Sequence, residues 1–399
     1  MRTPGSFVAS VVALGLVAGG FGFAADAPAA GAEATAPSPR PLPGPGPGLR
    51  EVTAVDLPAG LLPAGINDRG QIVAQTFGSG PRQVVVVERG AVTATVGPWE
   101  PHPHPTCPPQ QCFFPAPDVP FVNDDGVVGT VIDGHAVLWD HGALSDLDGD
   151  AVGSWLLGLT DRGDAVVVRF MTDHQVLGLW RRGAFTPIRT LPLTAVVSAR
   201  ASERGHVVAS VVLVEPPQVT TSSFVWSRGV TTDLGDLAPA DVNRHGQVVG
   251  FVPGPTPLDT RAAVWQDGEL TELEGLGGSQ SGALAVNDRG QVAGFSTRPG
   301  GGIVTSVLWD HGEVLDIGAA AGGSNQPRGI NERGQVLVDG FSPAFGLFGA
   351  VWDRRQLRLL PPSSEPGVSV EPFTMNDRGR VVGRRSPSFG PAVPMLWKL

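Results

Sequence analysis

Apolar positions in this chain come in short runs of four to seven residues, rich in valine and closed off by Gly, Asn, Asp or Pro. Runs this short and this punctuated predict β-strands rather than helices. The punctuation itself repeats. Ile66-Asn67-Asp68-Arg69-Gly70-Gln71-Ile72-Val73 returns as Val286-Asn287-Asp288-Arg289-Gly290-Gln291-Val292-Ala293 and as Ile330-Asn331-Glu332-Arg333-Gly334-Gln335-Val336. A turn-opening residue followed three positions later by Gly marks eight copies: Asn67/Gly70, Asn123/Gly126, Thr160/Gly163, Ser202/Gly205, Asn243/Gly246, Asn287/Gly290, Asn331/Gly334 and Asn376/Gly379. Asn, Thr and Ser share a side-chain oxygen that can accept a nearby backbone N–H, and Gly suits the left-handed position of a hairpin.

A second mark follows each first one: Val87 in the first copy, then Trp139, Trp180, Trp226, Trp265, Trp309, Trp352 and Trp397. Recurrence in register assigns these indoles to core packing. Most precede a second tight turn, such as Asp140-His141-Gly142 or Asp310-His311-Gly312. Each copy then holds four strands, placed in the sixth copy at Gly282–Val286, Gln291–Ser296, Thr305–Trp309 and Glu313–Ile317. Tight hairpins make neighbouring strands antiparallel and argue against a parallel β-helix. Four antiparallel strands repeating every 44 residues or so predict an all-β fold, the β-propeller, with eight blades. Seven blades is the alternative, should copy three or four be degenerate. The last copy stops at Trp397-Lys398-Leu399, where its fourth strand is due, while residues 49–57 read as a fourth strand without a blade. The N-terminal stretch is therefore expected to complete the last blade and close the ring, which removes an exposed sheet edge.

The unit resembles the HAF repeat of bacterial extracellular proteins. The match rests on Gly134-His135-Ala136-Val137-Leu138-Trp139 and on Leu276-Gly277-Gly278-Ser279-Gln280-Ser281 ahead of Ala285-Val286-Asn287, and it covers residues 49–399. The resemblance implies a propeller-like repeat protein and no settled activity. The place of His135 holds Arg261, Thr305 and Phe348 in three other copies, so no ring of histidines is implied and His135 is expected to be structural.

Before the repeats, Arg2 and the apolar run 7–24 read as a signal peptide, assigned to residues 1–27. Residues 28–48, rich in Ala, Pro and Gly, read as a disordered linker. The chain is expected to be secreted, with no transmembrane segment once the signal is removed, and monomeric. Net charge is -10, and Arg2 and Arg40 offset Asp26 and Glu33, so the mature charge is the same. An acidic chain has no electrostatic footprint for nucleic acid.

Candidate chemistry is sparse. Cys107 and Cys112, the only cysteines, sit in an insertion at 97–120 and are expected to form a disulfide in an exported protein. With His102 and His104 they offer zinc-compatible donors, though in no standard spacing. Asp146, Asp148 and Asp150 alternate as in a calcium loop, but Gly149 comes too early and no distal Glu follows. No nucleophile elbow is present, because Gly278-Ser279-Gln280-Ser281-Gly282 centres on Gln280. The acids of the Asn-type turns read as turn chemistry. No cofactor or metal is assigned.

Topology puts the Asn-type and Trp-following turns on one face and the variable connections on the other: 97–120, 214–223, 253–261, 297–304 and 361–370. Variable loops on a rigid frame commonly carry binding. The expected function is non-catalytic binding or scaffolding of an extracellular glycan or protein, with His102, His104, Arg261 and Arg298 as candidate binding-face residues. The alternative is a carbohydrate-active hydrolase or lyase using acids at the channel mouth. A small residue seven after each Asn (Ala74, Ala209, Gly250, Gly294, Gly383) is expected to admit the next blade's Trp.

Overall fold

A computed structural model describes residues 52–77, 83–97, 119–215, 218–300, 303–318, 323–343, 346–353, 355–362, 367–388 and 390–399. The signal and linker assignments, residues 98–118 and the four residues His102, His104, Cys107 and Cys112 lie outside them.

All regular structure among the described residues is β, in eight four-stranded antiparallel sheets arranged as a ring: an eight-bladed β-propeller, not a seven-bladed one. In blade six the strands are Ser281–Val286, Val292–Thr297, Val304–Asp310 and Glu313–Asp316, within a residue or so of the expected bounds. The first strand of each blade is innermost, and these inner strands neighbour one another around the axis.

The seam is closed as the ends of the chain required. Thr53–Asp56 pairs antiparallel with Val393–Lys398, matching Thr53 to Lys398 and Asp56 to Met395. Two apolar side chains anchor it. Val52 joins Trp397, Met395 and Val381, and Leu57 joins Val382, Ile66 and Ile72 across to blade one.

Second and third strands are buried on both sides by adjacent blades, so they read as nearly unbroken apolar runs (Val84–Val87; Ala165–Val168). Core clusters accordingly lie between blades; one joins Val208 and Val225 of blade four to Leu237, Val248 and Ala263 of blade five. Outer strands face water, and Val230–Asp233 and Glu269–Glu272 are exposed throughout.

Inner strands carry a recurring irregularity. A bulge interrupts their pairing between Pro63/Gly65, Leu156/Gly158, Pro239/Asp241, Ala283/Ala285, Pro327/Gly329 and Pro372/Thr374. Four of the six begin at proline. The inner strand is a sheet edge facing the axis, so the missing N–H costs no ladder bond there.

The small residue seven after Asn serves that bulge rather than a neighbouring indole. A Cβ on Gly294 would lie 2.1 Å from the Gly282 carbonyl oxygen and 2.7 Å from the ring of Trp309, both in the same blade. The expected approach of the next blade's Trp is thus corrected: the close contact is within a blade. Two of the indoles do reach outward through their N–H groups. Trp309 Nε1 donates to Glu274 O at 2.7 Å and Trp397 Nε1 to Pro361 O at 2.6 Å, both on the connection leading into its blade.

Candidate functional site

The Asn-type turn is where blades are tied together. Asn67 Oδ1 accepts the Gln71 N–H at 2.9 Å, and Asn67 Nδ2 donates to Gln71 Oε1 at 2.7 Å. The same Nδ2 crosses to the next blade and donates to Asn123 O at 2.8 Å. This link repeats from Asn243 to Asn287 O, Asn287 to Asn331 O, Asn331 to Asn376 O and, over the seam, Asn376 to Asn67 O at 2.7 Å. All of these asparagines are buried. The turn Gly fits the same device. It has positive φ, and a Cβ on Gly334 would lie 2.7 Å from Gln291 Oε1 of the preceding blade.

The residue after each Asn forms a second tie. Its carboxylate accepts a backbone N–H from the preceding blade: Asp68 N to Asp124 Oδ1 at 2.7 Å, Asp124 N to Asp161 at 3.1 Å, Asp161 N to Glu203 Oε1 at 3.0 Å. Asp288, Glu332, Asp377 and Asp68 continue the series from blade five round to blade one. Seven carboxylates thus form a collar at the mouth of the ring on the turn face, with Arg244 as its eighth member. One residue further on, Arg162, Arg204, Arg289, Arg333 and Arg378 stand exposed outside the collar.

Like charges drawn together in this way shift their protonation. Asp161 is pushed up to about 7, first by its enclosure in the mouth, then by Glu203 and Asp124. Its tip reaches water, so screening tempers the effect on stability. Glu203, Glu332 and Asp377 are raised as well, each chiefly by desolvation, with Asp288 or other collar acids adding to it. Asp241, in the wall below, is raised to about 6 by burial, although it accepts the Val286 and Val242 N–H groups.

A raised folded-state value means the folded protein holds protons that the unfolded chain releases. The associated stability is complete below the unfolded carboxylate values and is lost as pH rises through the raised ones. His206 has the opposite sign: burial and Arg228 lower its value, so folding loses stability once pH falls below the ordinary histidine range. The melting temperature is therefore expected to rise as pH is lowered from 8 to about 6.5 and to level off or fall below that. Added salt should shrink the rise, and Asp161→Asn should flatten it by removing the most displaced carboxylate while keeping an acceptor for the Asp124 amide. Thermal melts at several pH values check both. A melting temperature that climbs steadily from pH 6.5 to 8 would contradict the collar's electrostatics.

The opposite face carries the variable connections. Arg298 is exposed and ion-paired to Asp316, while Arg261 donates to Gly278 O at 3.0 Å. The two arginines are on the expected face, each engaged by its own surroundings, and nothing brings them onto one point. The stretch 214–223 is mostly strand, because Val207–Glu215 and Gln218–Ser227 run on as a long hairpin. Of the eleven large apolar side chains exposed among the described residues, most belong to this face, including Phe77, Val214, Leu258, Ile303, Phe341 and Leu347.

Other sequence candidates are absorbed by packing. His135 is buried with its Nδ1 on the Asp148 carboxylate, whose other oxygen takes the Ser154 hydroxyl. Asp146 Oδ1 accepts the Asp148 N–H at 2.7 Å. Ser154 in turn accepts the Ala136 N–H, as Ser281 does for Ala262, so the cluster elaborates a blade-to-blade contact found elsewhere in the ring. Among the described residues no group of three His, Cys, Asp or Glu side chains is placed to hold a metal ion. The collar is what residue-by-residue reading passed over: the turn acids were visible singly, and ring closure makes them one feature.

No protein-family model and no curated protein sequence matches this chain. Similar solved structures include the β-propeller domain of the Trilobed protease from Pyrococcus furiosus, at 11% identity over 77% of this chain and 98% of that one, with a TM-score of 0.48. An acylaminoacyl peptidase in complex with Z-Gly-Gly-Phe-chloromethyl ketone is 12% identical over 85% of this chain, with a TM-score of 0.49. This chain spans about half of that peptidase's length, 51%. TolB from Acinetobacter baumannii gives 13% identity over 56% of this chain, with a TM-score of 0.34. These likenesses are architectural, and the activities of those proteins do not transfer.

Proposed function

We propose that this chain is an exported, monomeric, non-catalytic propeller of the HAF-repeat kind, which binds an extracellular polymer or protein through its variable-loop face. The reading rests on the concentration of exposed apolar side chains there. Phe77, Leu258 and Ile303 stand on connections of blades one, five and six, and Val214 and Phe341 at strand ends of blades four and seven, over a frame held by the interblade ties. Apolar side chains gathered on one face, on a surface otherwise able to be polar, favour an interaction surface. A screen of residues 45–399 against glycans and cell-wall material supplies the ligand. Leu258→Ser with Phe341→Ser, and separately a Gly/Ser link in place of residues 97–120, are expected to weaken binding at least tenfold for one or both. Unchanged affinity in both variants would remove the assignment to this face.

The enzyme alternative draws on a different observation, the displaced carboxylates of the collar. A residue near neutrality beside ionised acids has the makings of an acid–base pair. Against it, each of the seven collar carboxylates already accepts a backbone N–H of the preceding blade. Release of reducing or unsaturated ends in the same glycan screen, lost in Asp161→Asn, would favour catalysis.

A further inference from the structure

The collar has a gap between blades four and five. Around the rest of the ring, the amide of the residue after the turn-opening position donates to a carboxylate of the following blade, seven times in all. At the eighth position the acceptor should come from blade five, but that residue is Arg244. The Glu203 N–H has no acceptor among the described residues. The other tie is missing here too. Ser202 Oγ accepts the His206 N–H at 3.2 Å and sends nothing to blade five. At this junction the His206 ring lies against Gly246 of blade five.

Several cations lie near this gap. Arg204 and Arg228 are exposed, have no ion-pair partner among the described residues, and lower the His206 value together with His245. Arg244 Nε lies 3.3 Å from Asp288 and 3.3 Å from His245 Nε2. Of the nearby acids, Asp288 is taken up by Arg244, its Oδ1 accepting the Arg244 N–H and its Oδ2 pairing with Nε, and the Glu203 carboxylate turns back to blade three to accept the Asp161 N–H. A position that elsewhere presents a carboxylate to this amide therefore presents it to a notch bordered by Arg244.

We propose that the notch between blades four and five binds the carboxylate of an acidic ligand, which takes the place of the missing eighth collar acid. One carboxylate oxygen accepts the Glu203 N–H and the other meets the guanidinium of Arg244 or Arg204, whose fork suits a planar anion. The site is on the turn face, opposite the variable loops, and stands whether or not those loops bind anything. The carboxylate could belong to a free small acid or to a residue of an acidic polysaccharide.

Amide NMR of the whole described propeller, titrated with sodium glucuronate against sodium chloride at equal ionic strength, tests the proposal. Expected is a saturable shift of the Glu203 amide and of the His206 and His245 ring signals, with half-saturation on the order of 1–10 mM. Oligoglucuronate binding more tightly than the monomer would assign the polymer as source, and equal affinity per carboxylate the free acid. Arg244→Asp supplies the acid that the other blades carry and should abolish the response, with the Glu203 amide already shifted in the absence of ligand. Arg204→Gln, which leaves the junction itself untouched, should weaken binding at least fivefold. Identical shifts in glucuronate and chloride, or full response in both variants, would overturn the site.

Discussion

Removing residues 49–57 is expected to lower the melting temperature by roughly 5–10 °C. The strand lost, Thr53–Asp56, is the outermost of blade eight, and most of its own side chains are exposed. The effect comes from what flanks it. Val52 and Leu57 are buried on either side of the seam, and the Leu57 N–H donates to Pro394 O at 2.9 Å. Burial of two such side chains contributes about 3–5 kcal/mol, and their loss also uncovers Trp397, which is fully enclosed. The edge of Val393–Lys398 would be left unpaired, a template for another chain. A chain beginning at residue 48 should melt normally, and a synthetic peptide of residues 49–57 should restore much of the lost stability in trans. Equal melting of the chains beginning at 48 and 58 would show that the seam strand contributes nothing.

Asn376→Ala is expected to cost about 2–4 kcal/mol. Asn376 is buried, and its Nδ2 makes the tie over the seam to Asn67 O, while its Oδ1 accepts the N–H groups of Arg378 and Arg380 at 3.1 and 2.8 Å. Alanine leaves all three partners without an acceptor or donor, two of them inside the turn. The protein contains its own control. Thr160 and Ser202 occupy the same position in blades three and four, and their hydroxyls accept the Asp164 and His206 N–H groups at 3.1 and 3.2 Å without crossing to the next blade. Asn376→Ser should therefore keep the turn and lose only the tie, at about half the cost of alanine. Denaturant melts of the two variants give the order; serine as costly as alanine would place the energy in the tie alone.

Both expectations rest on features that the sequence reveals to different depths. Blade count and strand bounds were legible because each strand is short and ended by residues with turn chemistry of their own, and the second and third strands are apolar on both sides. The seam was legible from arithmetic, a blade one strand short at one end and a spare strand at the other. What the turn phrase does was only half legible. Asn67, Gly70 and Gln71 satisfy one another within the turn, which sequence logic anticipates. That Asn67 also reaches Asn123, and Asp68 reaches back to Asp377, depends on residues 56 and 309 positions away. The same holds for the Gly294 contact, where a small residue answers a bulge in its own blade rather than the neighbouring indole.

The sequence by itself determined an all-β ring of eight like units, closed by its first strand, because local turn chemistry and two-sided burial are written into every copy. Only the tertiary structure decided that the turn acids gather into a collar, that one place in it is taken by Arg244 and leaves an amide unmatched, and that exposed apolar side chains collect on the opposite face. Those properties belong to distances between blades. A repeat specifies each blade alike, whereas charge repulsion, an unmatched amide and a patch of exposed surface exist only once the blades stand side by side.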